Sequence, residues 1–321
     1  MSELINERVS FGHGFVQGRD KVRVIARFDD MAEQGSAASS LMMWAGEGRG
    51  WRNFDLAWMA IRVACSKTAM FALSADGRVM IADARGVREE RIAGSEGRGG
   101  LSDLCLFEYQ PLAVGAAGQV YRRAGEGEWI ELSDGLPAGD DAPGLRAVDC
   151  EGGEVCAVGD GGQIWRLSGE TWNRLASPID AALNAVRMIG PGKAVAVGDG
   201  GNVILVDGDA AGSAAERAPA DLLAVERFGG RTYVAAEHGL YRLLDGGRID
   251  KVHVFDGPSW TYRHLHAGDG MLWSFGREHL IGTADGEEWT LLRSPFQSID
   301  PTECGPGGGG GSCGCGHDHH H

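Results

Sequence analysis

Short apolar runs separated by glycine-rich turns recur along most of this chain. The clearest example is Ala157–Leu175, AVGDGGQIWRLSGETWNRL, where one run ends in Gly-Asp-Gly-Gly and two further runs carry Trp165 and Trp172. Gly161 and Gly162 can adopt the positive φ of a narrow turn, and an aspartate at its start can bond to the turn backbone. The pattern predicts strand, tight turn, strand, turn, strand.

The same pattern returns with a period near 40 residues. Gly115 and Gly159 are 44 positions apart, and Gly159 and Gly198 are 39 apart. Four short strands per unit at this period are typical of a β-propeller. Solenoids of similar period are usually helical, and the chain has no useful stretch of 3.6-residue periodicity. The predicted fold class is therefore all-β.

Six units are legible from residue 58 to residue 292, and residues 1–57 would supply a seventh. We predict a seven-bladed β-propeller over residues 1–292, with a six-bladed body and an N-terminal extension as the alternative. Arg8–Gln17 is the candidate strand for closing the ring, since an open ring would leave unpaired strand edges. The other N-terminal elements are a loop at Met31–Ser40 and strands at Val22–Phe28, Leu41–Ala45 and Trp51–Leu56.

The segments AVGDGGQIWR…GETW and AVGDGGNVIL resemble the repeats of the Ycf48-like and BNR (Asp-box) propeller families. SADGRVMIA at 74–82 and TADGEEWTLL at 283–292 resemble a shortened Asp-box turn. The resemblance covers about residues 58–292 and implies the propeller fold. It also implies a role of the assembly-factor kind, although propellers of this superfamily host many functions.

Composition narrows the classes of partner. The net charge of −15 makes nucleic acid and anionic membranes poor partners, because both would be repelled. No apolar run approaches the ~20 residues of a membrane span, and the first residues lack the apolar segment of a secretory signal. We therefore expect a cytoplasmic protein without membrane insertion. Reduced, buried thiols are expected at Cys65, Cys105, Cys150 and Cys156.

Acidic residues gather in turns and linkers that a four-stranded blade would place on one face. Asp160 and Asp199 lie in turns, and Ser133–Gly144 and Asp207–Asp221 read as linkers between blades. We predict a docking rim for a protein partner with a basic patch. The alternative is that these are ordinary turn aspartates, chosen for local hydrogen bonding. The predicted rim residues are Asp134, Asp140, Asp141, Asp160, Asp199 and Asp209.

An enzymatic function is not predicted. A sialidase-like hydrolase would need several arginines converging on a carboxylate, together with a nucleophile and its acidic partner. Arg122, Arg166 and Arg242 instead lie on third strands, away from a central channel, so no catalytic residues are assigned. His264 and His266 are spaced by two and point the same way from a strand. Separate, hydrogen-bonded histidines are favoured there over a channel metal site.

The repeat pattern stops after Leu292, and residues 293–321 form a predicted disordered tail rich in glycine, cysteine and histidine. Thiolate and imidazole ligands suit zinc, copper, nickel or cobalt. We predict that the tail binds or delivers such a metal. The alternatives are an inert tail and an appended linker with a tag. The predicted ligands are Cys304, Cys313, Cys315, His317, His319, His320 and His321.

Overall fold

A computed structural model describes residues 8–256 and 260–295. Within these ranges the chain forms a seven-bladed β-propeller, in which each blade is a four-stranded antiparallel sheet in sequential order. The first strand of each blade lines a central channel, and the fourth lies at the periphery. No helix in the described part of the chain has the length and apolar character of a membrane span.

Blades 1 to 4 contain the first sixteen strands. These are β1 (Val9–Gly18), β2 (Lys21–Phe28), β3 (Ser39–Trp44), β4 (Trp51–Leu56), β5 (Ala60–Cys65), β6 (Ala69–Ser74), β7 (Arg78–Asp83), β8 (Gly86–Arg91), β9 (Leu101–Phe107), β10 (Gln110–Gly115), β11 (Val120–Gly125), β12 (Glu128–Glu131), β13 (Leu145–Glu151), β14 (Glu154–Gly159), β15 (Ile164–Ser168) and β16 (Thr171–Leu175).

Blades 5 to 7 contain the remaining strands. These are β17 (Leu183–Gly190), β18 (Lys193–Gly198), β19 (Val203–Asp207), β20 (Ala210–Ser213), β21 (Leu222–Phe228), β22 (Arg231–Ala236), β23 (Gly239–Leu243), β24 (Ile249–Lys251), β25 (His264–Gly268), β26 (Met271–Phe275), β27 (Leu280–Thr283) and β28 (Trp289–Leu292).

The core lies between blades, and this explains the apolar runs of the sequence. Second strands such as β14 (EVCAVG) and β18 (KAVAVG) are buried over their last five residues, because neighbouring blades cover both faces. Fourth strands such as β16 are mostly exposed, because they lie at the periphery, and β16 buries only Trp172 and Leu175. Trp172 of β16 is buried, and its indole N–H donates to the carbonyl of Leu132 in the preceding blade at 2.8 Å.

The ring has two faces, which are distinguished by their turns. The upper face carries the turns between second and third strands and the linkers between blades. The lower face carries the turns between first and second and between third and fourth strands. In blades 4 and 5 the upper turns are the short 3-10 segments Asp160–Gly162 and Asp199–Gly201, in which both glycines of each turn have positive φ.

The seven-bladed prediction is confirmed, and the six-bladed alternative is wrong, because residues 9–56 form a complete blade. The segment predicted to close the ring, Arg8–Gln17, is mostly β1, the innermost strand of blade 1. It pairs with β2 in its own blade and adds no strand to blade 7. The predicted loop Met31–Ser40 overlaps the end of a short helix, α1 (Asp29–Glu33), and the start of β3.

The expectation of four reduced thiols is wrong for two of them. A disulfide joins Cys105 of β9 to Cys150 of β13, whose Cα atoms are 6.0 Å apart on the inner strands of adjacent blades. The two cysteines are 45 residues apart in the sequence, so the sequence alone does not show that they are neighbours. The fold places their strands side by side, within the Cα distance that a disulfide requires. Cys65 and Cys156 are free and buried, as expected, and burial raises the pKa of both thiols to about 12.

Candidate functional site

Asp160 and Asp199 lie together on the upper face, beside the mouth of the channel. Each starts the upper turn of its blade, and each side chain is 44% exposed. The Arg146 guanidinium lies between them, 2.6 Å from Asp160 and 4.0 Å from Asp199. Asn184 accepts a bond from Arg146 at 2.7 Å and donates one to Asp199 at 2.8 Å. The two carboxylates therefore share one cation at the mouth.

Asp134, Asp140 and Asp141 lie on the linker that crosses from blade 3 to blade 4. Asp134 accepts a hydrogen bond from the Thr171 hydroxyl at 2.8 Å, so this carboxylate helps to hold the linker against β16. Asp140 and Asp141 are exposed. These two side chains are available to a partner without disturbing a contact of the fold.

Asp209 belongs to the opposite face. The segment Asp207–Asp221, read from the sequence as one linker, contains β20, and Asp209 lies in the turn between β19 and β20. The neighbouring Gly208 amide donates to the carbonyl of Gly192, in the lower turn between β17 and β18, at 2.9 Å. The structure therefore separates Asp209 from the rest of the predicted rim.

Two further acidic residues lie on the upper face: Asp221, which the sequence placed in a linker, and Asp180, which sequence reasoning missed. Asp180 lies exposed in the linker from blade 4 to blade 5, and Asp221 lies exposed at the end of the next linker. The Asp221 carboxylate accepts from the amide of Gly200 at 2.7 Å, beside Asp199. The signal for Asp180 was its position between a fourth strand and the next first strand. We call the following set the upper acidic arc: Asp140, Asp141, Asp160, Asp180, Asp199 and Asp221.

The central channel is lined by two tiers of residues, because alternate positions of each inner strand point inward. Strand register places the upper tier next to the upper turns. From blade 1 to blade 7 the upper tier is His13, Arg62, Asp103, Ala147, Ala185, Ala224 and His264. The lower tier is Phe15, Ala64, Cys105, Asp149, Arg187, Glu226 and His266.

The charged residues of the channel connect neighbouring inner strands. Asp103 pairs with Arg62 of blade 2 at 2.7 Å and accepts from the amide of Val148 in blade 4 at 2.9 Å. In the lower tier, Arg187 lies 3.3 Å from Asp149 and 2.8 Å from Glu226. Each carboxylate also accepts a backbone amide of the following blade: Met188 bonds to Asp149 at 2.7 Å and Ala267 to Glu226 at 3.2 Å.

Three histidines continue these connections around the ring. The Nδ1 atom of His266 accepts from the amide of Val16 at 3.2 Å, and Nδ1 of His13 accepts from the amide of Val63 at 3.3 Å. Nε2 of His264 bonds to the carbonyl of Gly14 at 3.0 Å and must therefore carry the hydrogen. His264 and His266 thus join blade 7 to blade 1, and His13 joins blade 1 to blade 2.

Burial sets the protonation of this channel. It lowers the pKa of His13 and of His266 well below the ordinary value, and that of His264 to about 3, with Arg62 and Arg187 adding to the effect. The imidazoles are therefore neutral at physiological pH. Burial raises the pKa of Glu226 to about 7 and also raises that of Asp149, while Arg187 opposes both shifts.

The repeated arginines of the third strands do not converge on a site. Each reaches the lower turn of the next blade, where Arg166 donates to the carbonyl of Gly208 at 2.8 Å and Arg242 bonds to Glu287 at 2.8 Å. Arg122 lies 3.9 Å from Glu170 in the same relation. These residues connect blades at the periphery, so they offer no cluster of cations for a hydrolase.

No metal centre is formed by residues 8–256 and 260–295. No group of three or more His, Cys, Asp or Glu side chains in these ranges is placed to hold an ion. The alternative of a channel metal site at His264 and His266 therefore has no support. The predicted tail ligands, Cys304 to His321, lie outside the described residues.

No protein-family model matches the chain. It is 29% identical over 295 residues to the immune protein Tsi7 of Pseudomonas aeruginosa, covering 87% of this chain and 95% of that protein. A solved structure of YCF48 bound to D1 peptide aligns with TM-score 0.63 and 15% identity, over 85% of this chain and 90% of that one. Virginiamycin B lyase from Staphylococcus aureus aligns with TM-score 0.62 and 12% identity, over 75% and 85%. At such identities the two structures are similar in fold alone.

Proposed function

We propose that this chain is a non-enzymatic binding protein that holds a protein partner with a basic surface against the upper acidic arc, and that binding inhibits the partner. The observation that carries the proposal is the grouping of six carboxylates on one face of a chain with net charge −15. The similarity to a protein named an immune protein supports an inhibitory role rather than an assembly role.

Electrostatics gives this face two properties that suit a binder. Clustered charges of one sign steer an oppositely charged partner and raise its association rate. Asp140, Asp141 and Asp180 are exposed and make no side-chain bond within the described part of the chain, so their charges can meet a partner directly. Asp160 and Asp199 are held by Arg146 and Asn184, so they provide a preformed part of the surface.

The test changes charge on one face at a time. The partner is isolated by co-purification from the source cells, identified and purified, and its affinity is measured by calorimetry at several salt concentrations. The triple variant Asp140→Asn, Asp141→Asn, Asp180→Asn should bind at least about tenfold more weakly at low salt and show a flatter salt dependence. The matched control is Asp207→Asn, Asp209→Asn, Glu170→Gln on the lower face, which should bind like the wild type.

An equal loss of affinity in both triple variants would show that only the net charge of the protein matters, and it would contradict docking on the upper face. An acidic partner, or affinity unchanged in the upper-face variant, would contradict the proposal directly.

We also propose that the tail binds a transition metal, from the concentration of Cys313, Cys315 and four histidines near the end of the chain. Titration of the full chain with Zn²⁺ or Cu⁺ should show a site that is lost in a chain ending at Ile299. Cys313→Ser with Cys315→Ser should weaken it by at least about tenfold, because thiolates are the strongest ligands present. Equal stoichiometry in the full and shortened chains would end this proposal.

A further inference from the structure

The channel contains space that the blades do not fill. Its cavity has a volume of about 380 Å³, within the usual size range of small-ligand sites. Ala147, Ala185 and Ala224 occupy the upper tier in blades 4 to 6, directly above the Asp149–Arg187–Glu226 group. Because these three side chains are only methyl groups, the space above Arg187 stays unfilled. Arg187 therefore lines the lower side of the cavity.

The carboxylates around this space have their oxygen atoms engaged by the protein. Both Asp103 oxygens accept, one from Arg62 and from the amide of Leu104, the other from Val148. The two Asp149 oxygens accept from Arg187 and from Met188. The two Glu226 oxygens accept from the amides of Arg227 and Ala267. These carboxylates therefore stabilise the walls of the channel by bonding one inner strand to the next.

Donors also remain around this space. Arg62 donates through Nε and Nη1, and Arg187 donates through Nη1 to Asp149, while its Nε lies 2.8 Å from Glu226 in an ion pair without a hydrogen bond. The Nη2 group of each arginine has no hydrogen-bond partner among residues 8–256 and 260–295. Because Nδ1 of His13 and of His266 accepts a backbone amide, the Nε2 atom of each neutral ring carries a hydrogen. Four donor nitrogen atoms on residues that line the cavity thus have no acceptor in the described structure.

We infer that the channel is a binding site for a small oxyanion, a carboxylate or a phosphate, held by Arg187, Arg62 and the Nε2–H groups of His13 and His266. The guanidinium fork matches two oxygens of such a group. The upper acidic arc repels an anion at a distance, but charges beyond about 8 Å are largely screened at physiological ionic strength. Inside the channel the donors contact the anion directly, and their hydrogen bonds are stronger there because the surroundings are less polar than water.

The experiment uses the full chain and two probes, inorganic phosphate and succinate, each titrated at constant ionic strength against chloride. Saturable one-to-one binding by calorimetry, with a rise in melting temperature, is expected for at least one probe, and the comparison distinguishes phosphate from carboxylate chemistry. Arg187→Lys keeps the charge but loses the fork, and should weaken binding at least about tenfold. Arg166→Lys is the control, because Arg166 is also a partly buried arginine but lies at the periphery, and this variant should bind like the wild type.

A second variant protects the test against misfolding of the first. Ala185→Leu fills the cavity from its wall without changing any charge, and should abolish probe binding while the protein keeps its cooperative unfolding. The inference is overturned if neither probe saturates, or if Ala185→Leu and Arg187→Lys bind the probe as the control does. These outcomes leave the partner-binding proposal untouched, because its variants lie on the upper face.

Discussion

At the scale of single residues, Gly201 meets two constraints that a side chain would violate. Its φ of +69° lies in the left-handed region, which L-residues adopt at a penalty. A Cβ atom there would also collide with the backbone of Ala218 in the linker to blade 6. The first constraint was predictable from the Asp-Gly-Gly pattern. The second was not, because Ala218 reaches this turn only through the path of the linker.

We expect Gly201→Ala to lower the free energy of unfolding by about 2–4 kcal/mol, the sum of the left-handed penalty and the collision. Gly208→Ala is the matched control, because its φ is +59° and nothing lies within 4 Å of a Cβ there. It should lower the free energy by only about 1 kcal/mol. Urea unfolding of both variants tests this, and equal losses would show that backbone conformation alone matters.

At the scale of elements, blades are joined by polar contacts as well as by apolar cores. Glu90 of β8 and Arg123 of β11 form a buried ion pair with two N–H to oxygen bonds of 2.7 and 2.9 Å. Burial opposes ionisation of Glu90, but the bonds from Arg123 and Trp129 hold its pKa below the ordinary value. The sequence could not show that neighbouring blades bring these two residues together, because they are 33 positions apart.

The predicted rim shows how one unpredicted strand changes the placement of a residue. The Asp160 and Asp199 turns were predictable, because an apolar strand precedes and follows each. The strand β20 (AAGS) was missed, because its four residues carry little side-chain pattern and are mostly exposed. Asp209 was consequently assigned to the wrong face, since adding one strand reverses the direction of the chain.

At the scale of the whole molecule, the ring closes without sharing a strand between its first and last blades. Blade 1 is built from residues 9–56, and it meets blade 7 through packed apolar side chains and hydrogen bonds. The amide of Phe11 donates to the carbonyl of Arg277 at 2.6 Å, and His264 and His266 bond to Gly14 and Val16. Apolar packing between the two blades contributes to the closure, and the hydrogen bond from Val16 to His266 requires a neutral imidazole.

Acidification should weaken this closure. The pKa of His266 in the folded protein lies well below the ordinary 6.5, so between these values the unfolded chain binds more protons. The stabilisation is complete above pH 6.5 and is lost as the pH falls, by about 2 kcal/mol per imidazole at pH 5. Glu226 has the opposite effect: because its pKa is raised to about 7, acidification from pH 7 to pH 5 stabilises the folded protein at this group. A comparison of variants is therefore required to isolate the effect of His266.

His266→Gln supplies the comparison, because an amide oxygen can accept the Val16 amide without titrating. Between pH 7 and pH 5 this variant should lose about 2 kcal/mol less unfolding free energy than the wild type. His253→Gln is the control, since the His253 side chain is 76% exposed. Urea unfolding at each pH provides the measurement. A wild-type loss matched by His266→Gln would place the proton uptake elsewhere.

The sequence by itself determined the fold class and most strands, because apolar alternation and turn glycines act over a few neighbouring residues. The choice between six and seven blades required the structure, in which residues 9–56 form a complete blade. Only the tertiary structure decided which polar residues meet. Cys105 bonds to Cys150, and Arg187 contacts Asp149, across neighbouring blades and about 40 residues apart in the sequence. Arg146 contacts Asp160 within one blade, across β14, and the direction of that strand decides on which face of the ring the Asp160 turn lies. Contacts of that kind depend on the packing of neighbouring blades around a closed ring, and no local pattern records the geometry of that ring.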